Sequence, residues 1–153
     1  MASLFSPITG TVVPLTEVPD EAFSSGMLGQ GFAVEPSRDC DGTVFAPADG
    51  MMETVADARH AYTMRTDDGL ELLVHIGVDT VSLGGRPFTA LVSAGERIKA
   101  GQPIARADFA SVRAAHLPAV TPVIVTNSDV LRDLTPVCGQ VDGGSTVAAQ
   151  YSL

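Results

Sequence analysis

Two short patterns each occur twice in this chain, and together they restrict it to a doubled β architecture. Phe5-Ser-Pro7-Ile-Thr-Gly10 returns forty residues later as Phe45-Ala-Pro47-Ala-Asp-Gly50. Both copies run into β-prone stretches, Thr11-Val12-Val13 and Met51-Met52-Glu53-Thr54-Val55. The second pattern is Ile98-Lys-Ala-Gly101-Gln-Pro-Ile104 and Val141-Asp-Gly-Gly144-Ser-Thr-Val147. In it a glycine turn, where positive φ is tolerated, joins two apolar strand positions. Repeated turn-and-strand units of this kind imply two related halves wrapped around one core.

The remaining candidate strands are Gly31–Glu35, Gly42–Phe45, Pro87–Val92 and Ala119–Val125. They are short, closely spaced and bounded by turn residues, as in an antiparallel sandwich or barrel. Helices are brief. Phe109–Ala115, capped by Asp108 and ended before Pro118, is one; Asp129–Leu134, capped by Ser128, is a second; Asp20–Phe23 gives a single turn. The fold class is therefore all-β, a sandwich or barrel-like antiparallel structure with internal repeats and a few short helices. At 153 residues the chain suits one domain, residues 1–153, with no linker visible. Aromatics make up only 5%, so the core must rest on Val, Leu, Ile and Ala.

Eighteen acidic residues against nine basic ones give a net charge of −9. A nucleic-acid partner would demand a basic surface, so that class is excluded, while basic protein partners are favoured by steering. The first ten residues lack the charged start and apolar run of a signal peptide, and no segment approaches the ~20 apolar residues that span a bilayer. Cys40 and Cys138 follow neither metal-binding nor redox spacing and read as reduced thiols. The expected location is cytoplasmic, without membrane insertion.

Only three histidines occur. His60 and His75 stand at the outer ends of a predicted hairpin whose strands are 60–65 and 70–76 and whose turn is Thr66-Asp67-Asp68-Gly69. A two-residue turn at Asp67-Asp68, or a four-residue loop, pairs position 60 with position 75. Directly opposed residues have Cβ atoms roughly 4.5–5.5 Å apart. A three-residue loop shifts the register by one and sends the two imidazoles to opposite faces. His75 ends an apolar strand and is followed by Gly77, which admits close backbone or ligand approach, and by Asp79. A neutral imidazole offers a nucleophilic nitrogen, and a second, protonated imidazole can stabilise an added phosphoryl charge. Two such nitrogens are also half of a zinc shell. His116, in Ala-Ala-His-Leu-Pro, has no such partner and reads as a surface or helix-end residue.

His75-Ile-Gly-Val-Asp-Thr-Val81 resembles the phosphorylation motif of the glucose-type IIA domain of the bacterial phosphoenolpyruvate-dependent sugar phosphotransferase system. The resemblance runs from about Phe5 to Val147. It takes in Ser6-Pro-Ile-Thr-Gly-Thr-Val12, Val18-Pro-Asp-Glu-Ala-Phe23, Phe45–Gly50, Asp68–His75 and Thr121-Pro-Val-Ile-Val-Thr-Asn127. It implies a β-sandwich with a shallow active-site depression, in which His75 accepts a phosphoryl group from the phosphocarrier HPr and passes it to a IIB domain. His60 then supports transfer without carrying phosphate. Gly77, Asp79 and Val81 flank the site, and Phe23, Met27 and Leu28 match an exposed apolar rim that contacts partners, so that Phe23→Ser is expected to leave stability nearly unchanged. No cofactor is required, although His60 and His75 can supply two ligands of a zinc ion completed by a partner carboxylate and water. Regulated transporters or enzymes are further partners that some relatives imply. The chain departs from the family pattern at Ala58, where a threonine is common, and at Ala56 and Leu73, where some members carry rim aromatics. These positions bear on the hydrogen bonding of His60 and on partner preference.

Two other classes fit the same residues less well. A LytM-type zinc peptidase needs His-x-x-x-Asp and a later His-x-His, but the fourth residue after His60 is Met64 and no His-x-His occurs. A catalytic zinc normally takes three protein ligands. A lipoyl- or biotinyl-type carrier presents a lysine at a tight turn, yet the one lysine, Lys99, lies inside the glycine-turn repeat.

Overall fold

A computed structural model describes residues 2–153, and its plan follows the repeats. The strands are β1 (Ala2–Phe5), β2 (Gly10–Val13), β3 (Gln30–Pro36), β4 (Thr43–Phe45), β5 (Gly50–Val55), β6 (Ala61–Thr66) and β7 (Glu71–His75). They continue as β8 (Phe88–Ala90), β9 (Arg97–Ile98), β10 (Pro103–Ala107), β11 (Thr121–Val125), β12 (Asp133–Pro136), β13 (Gly139–Val141) and β14 (Val147–Ser152). Two short helices, α1 (Glu21–Ser24) and α2 (Phe109–Ala114), and 3-10 turns at Leu15–Glu17, Thr80–Leu83 and Ser128–Val130 complete the chain.

One sheet has eight strands in the order β13-β2-β3-β11-β7-β6-β5-β9, and two three-stranded sheets run β1-β14-β12 and β4-β10-β8. All pairings are antiparallel. Read outward from its centre, the large sheet is the same on both sides: β11-β3-β2-β13 matches β7-β6-β5-β9. The small sheets correspond strand for strand, so β4–β10 form a second unit inserted whole between β3 and β11 of the first.

The two repeat copies hold each other. The Phe5 N–H donates to the Pro47 carbonyl at 2.9 Å, and the Phe45 N–H donates to the Pro7 carbonyl at 2.7 Å. The glycine turns close the same way, with the Gly144 N–H on the Ser6 carbonyl at 2.8 Å and the Gly101 N–H on the Ala46 carbonyl at 2.9 Å. Gly10 and Gly50 are required by close approach, since a Cβ would lie 2.0 Å from the Glu35 carbonyl oxygen in one copy and 2.0 Å from that of Arg65 in the other. The main core lies between the sheets and is built from Leu4, Ile8, Phe32, Met52, Tyr62, Met64, Ile98 and Ile104, with Val, Leu and Ala around them.

A second, smaller cluster covers the opposite face of the large sheet and positions the site. Val18 and Phe23, from the segment around α1, pack on Ala33 of β3, Ile124 of β11, Val78 and Val120. Asp20 starts α1, its Oδ1 accepting the Ala22 N–H at 2.8 Å. The turn this fixes drives Phe23 down onto the sheet, where it is only 5% exposed. The expected exposed rim is thereby corrected: Met27 (75%) and Leu28 (38%) are exposed, whereas Phe23 is buried.

Two further expectations meet the structure differently. The helix expected over Phe109–Ala115 forms as α2, ending one residue earlier at Ala114, with Asp108 accepting the Ser111 N–H, and His116 follows it on the surface at φ 62°. The helix expected at Asp129–Leu134 is instead the turn Ser128–Val130 followed by strand β12. Ser128 cannot cap it, because its Oγ donates to the Val125 carbonyl and accepts the Gln30 N–H. The backbone of 133–136 pairs with β14. Truncating a buried phenylalanine costs about 3 kcal/mol or more, and 1 kcal/mol shifts the melting temperature of a chain this size by about 2–4 °C. Phe23→Ala should therefore lower the melting temperature by roughly 6–12 °C in a calorimetric scan, while Met27→Ala leaves it unchanged.

Candidate functional site

The β6–β7 hairpin closes through a three-residue loop, Asp67-Asp68-Gly69, rather than the two- or four-residue alternatives. Arg65 pairs with Glu71 and Ala61 with His75. The Thr66 N–H donates to the Leu70 carbonyl at 2.8 Å, Thr66 Oγ1 accepts the Leu70 N–H at 2.8 Å, and Gly69 takes φ 97°. Position 60 thus stands opposite Ile76, whose N–H donates to the His60 carbonyl at 2.7 Å. By strand alternation alone the two imidazoles would diverge. They do not: their ring centroids are 5.0 Å apart, edge to face.

The preceding loop explains this. His60 is the last residue of the loop Asp57–His60 between β5 and β6, which the Ala56 N–H closes on the Ala61 carbonyl at 3.0 Å. Arg59 adopts the left-handed conformation, φ 59°, so the alternation of β6 does not extend back to His60. The Arg59 guanidinium donates to the Gly85 carbonyl at 3.1 Å and ties this loop to the segment after the Thr80–Leu83 turn.

His75 ends β7 on the half-buried face shared with Glu71 and Leu73. Its Nδ1 lies 2.6 Å from the Gly77 carbonyl oxygen, a geometry that places the proton on Nδ1 and the free lone pair on Nε2. Gly77 can aim that carbonyl because its φ is 73°, and a Cβ there would meet Thr80 Cγ2 at 2.6 Å and the Pro118 carbonyl oxygen at 2.9 Å. The Thr80 hydroxyl donates to the Ile76 carbonyl at 2.5 Å, and the Val78 N–H donates to Pro118 at 3.0 Å. The turn carrying Gly77 is therefore fixed from both sides. Asp79 follows at φ 59°, and Val81 is 56% exposed beside it.

Phe23 packs edgewise on His75 with ring centroids 5.3 Å apart. Burial holds the His75 pKa below its usual value, opposed by the Gly77 hydrogen bond and by the negative charges of Asp20 and Asp79. Burial also lowers His60, and the neighbouring His75 adds to that effect. His60 Nδ1 is buried without a hydrogen-bond partner. Ala58, two residues before it, has no hydroxyl to offer.

The structure thus gathers His60, His75, Gly77 and the Phe23 ring, with Asp79 close enough to act on His75 electrostatically. Met27, Leu28 and Val81 stand exposed on the turns that follow α1 and Gly77. Sequence reading did not assign roles to Asp20 or Pro118. The helix cap before Phe23 carried a signal for Asp20, but nothing local marks the Pro118 carbonyl, which reaches the site from beyond α2. Among the described residues no group of three or more His, Cys, Asp or Glu side chains could hold a metal, and Cys40 and Cys138 are free thiols. Nor does any described helix have the length and apolarity to cross a membrane.

The chain as a whole is similar to known proteins. The family model for the phosphoenolpyruvate-dependent sugar phosphotransferase system, EIIA 1, matches residues 2–131. The chain is 38% identical over 132 residues to a PTS system glucose-specific EIIA component of Oceanobacillus iheyensis, covering 86% of this chain and 78% of that one. It is 40% identical over 148 residues to a PTS system glucose-specific EIIBCA component of Corynebacterium glutamicum, covering 96% of this chain but 22% of the relative. The chain thus spans about a fifth of the length of that fused relative. The solved glucose permease IIA from Mycoplasma capricolum superposes with a TM-score of 0.86 at 34% identity, covering 97% of this chain and 94% of that one. The sandwich fold and the family match over most of its length agree, and the chain belongs to the EIIA 1 family of the phosphoenolpyruvate-dependent sugar phosphotransferase system.

Proposed function

We propose that this chain is a cytoplasmic phosphoryl carrier, taking phosphate on His75 from phospho-HPr and giving it to a IIB domain of a sugar permease. The observation that carries this reading is the 2.6 Å contact of His75 Nδ1 with the Gly77 carbonyl, which leaves Nε2 as the nucleophile. In the first step the Nε2 lone pair attacks phosphorus, and the P–N bond to the donor histidine breaks with its electron pair returning to that imidazole. In the second, a cysteine thiolate of the IIB domain attacks phosphorus and the electron pair of the new P–N bond returns to Nε2. Such transfers rely on positioning and electrostatic stabilisation more than on covalent chemistry by the protein.

His60 supplies the stabilisation. A buried N–H without a partner is costlier than an under-used lone pair, so the partnerless Nδ1 carries the lone pair and the proton sits on Nε2. From there it can donate to the phosphoryl oxygens. The arriving negative charge raises the pKa of His60 and strengthens that donation. Met27, Leu28 and Val81 form the exposed apolar part of the docking rim, with Asp20 and Asp79 offering charge to a basic partner. Zinc fits as a shared ligand only: the two imidazoles offer two nitrogens, and a partner carboxylate and water would complete the shell.

Labelling with phosphoenolpyruvate, Enzyme I and HPr tests the assignment. His75→Gln should lose all acid-labile, base-stable label, whereas His60→Gln should be labelled yet pass phosphate to a IIB domain at least about 100-fold more slowly, the scale of one positioned proton donor. A labelled His75→Gln variant would remove the proposal. Zinc titration of the unphosphorylated chain should give weak binding that vanishes in either variant.

The lowered pKa values set a pH dependence with a definite sign. Both imidazoles are depressed from 6.5, so the unfolded chain binds protons more tightly than the folded one. Their contribution to stability is present above pH 6.5 and is lost as pH falls through the lower folded-state values. Melting temperatures measured from pH 7 to pH 5 should fall less steeply for the His60→Gln/His75→Gln double variant than for the parent. Parallel slopes would show that neither histidine is buried neutral.

A further inference from the structure

Away from the histidines, nearly half of the chain's scarce positive charge is collected in one place. Of nine basic residues in a chain of net charge −9, four line a single depression of 470 Å³: Arg38, Arg86, Arg106 and Arg113. They come from four separate segments, namely the loop after β3, the loop before β8, strand β10 and helix α2. None of the four takes part in an ion pair among the described residues, where ion pairs involve Arg65 and Arg97. Arg113 donates to the Pro36 carbonyl at 2.7 Å and Arg106 to Thr43 Oγ1 at 3.4 Å, which orients two guanidinium groups and leaves most of their donors unspent.

The two carboxylates lining the depression are turned to local work. Asp41 accepts the Thr43 N–H at 2.9 Å, and Asp108 accepts both the N–H and the hydroxyl of Ser111. Glu35 also interacts electrostatically with Arg113 and Arg38, yet four guanidinium groups against three carboxylates leave positive charge directed at a concave space within the ~300–1,000 Å³ range of small-ligand sites. Arg86, Pro87 and Asp108 also line an adjoining hollow of 480 Å³, whose other walls include Leu83, Ala114 and Ala115. One half of the groove is therefore cationic and the other largely apolar.

We propose that this groove binds an organic polyphosphate, its phosphates held by the four guanidinium groups and its ring body seated against Leu83, Pro87, Ala114 and Ala115. Guanidinium forks match phosphate oxygens in pairs, and several converging arginines select multiply charged phosphates over a single one. In an acidic chain a local positive field also concentrates such anions. The site is separate from the histidine pair and independent of the phosphoryl-carrier reading. It nevertheless touches the same scaffold, since Arg86 directly follows Gly85, whose carbonyl is held by Arg59 beside His60.

Calorimetric titration and amide NMR with magnesium-free ATP, inorganic tripolyphosphate and inorganic phosphate test this directly. ATP should bind saturably below about 1 mM, more tightly than tripolyphosphate and far more tightly than phosphate, with shifts centred on residues 38, 86, 106 and 113. Arg86→Ala/Arg106→Ala should weaken ATP binding at least about tenfold, with its melting temperature and His75 labelling unchanged. The charge-matched control Arg65→Ala/Arg132→Ala should bind as the parent does. Equal loss in the control, no saturation, or tripolyphosphate binding as tightly as ATP would overturn the proposal. So would a hexaglutamate peptide binding more tightly than ATP, which would make the groove a seat for an acidic protein segment.

Discussion

The hydrogen bond from His75 Nδ1 to the Gly77 carbonyl oxygen, 2.6 Å long, leaves Nε2 as the ring nitrogen with the free lone pair. Everything around it serves to hold that carbonyl in place. Gly77 takes a left-handed backbone conformation, and Thr80 and Pro118 crowd it so closely that a Cβ would collide with both. The Thr80 hydroxyl and the Pro118 carbonyl then secure the backbone on either side of Gly77. A side chain of ordinary rotamer freedom is thus held in one orientation, with its tautomer chosen by a backbone group rather than by another ionisable residue.

That turn can be rigid because it hangs from the centre of the sheet. The insertion of the second repeat between β3 and β11 makes β7 and β11 neighbours at the middle of eight strands. Residues from both units are thereby brought to one end of the same surface. The reciprocal hydrogen bonds between the Phe5–Gly10 and Phe45–Gly50 segments lock the two units together on the far side of the core. The small cluster under α1 then closes the outer face, giving His75 an aromatic edge on one side and a second imidazole on the other.

Much of this was legible in the residues. The Pro-Gly corners and glycine turns carried the doubled β plan, because close approach and positive φ leave few substitutes for glycine. Helix α2 was readable from its Asp108 cap, and α1 as a single turn over Asp20–Phe23. The histidine pair was legible as a pair, but its geometry was not. The hairpin loop has three residues, and it is the left-handed Arg59, in the other loop, that brings His60 back to His75. Propensity gives no warning of that, since an arginine with positive φ is held by tertiary contacts, here the Gly85 carbonyl. The burial of Phe23 was hidden for a similar reason: whether a residue on a one-turn helix faces solvent or sheet depends on where the helix lands. Asp129–Leu134 read as helical until its pairing with β14 is known.

On the proposed function, backbone hydrogen bonding of Nδ1 makes His75 Nε2 the phosphoryl acceptor. Long-range ¹H–¹⁵N correlation of the imidazole rings, recorded before and after phosphorylation by phosphoenolpyruvate, Enzyme I and HPr, tests it most directly. The account predicts an Nδ1–H tautomer at His75 in the free protein and a ³¹P–¹⁵N coupling to Nε2 of the same ring afterwards. An Nε2–H tautomer, a coupling to Nδ1, or phosphate on His60 would contradict it.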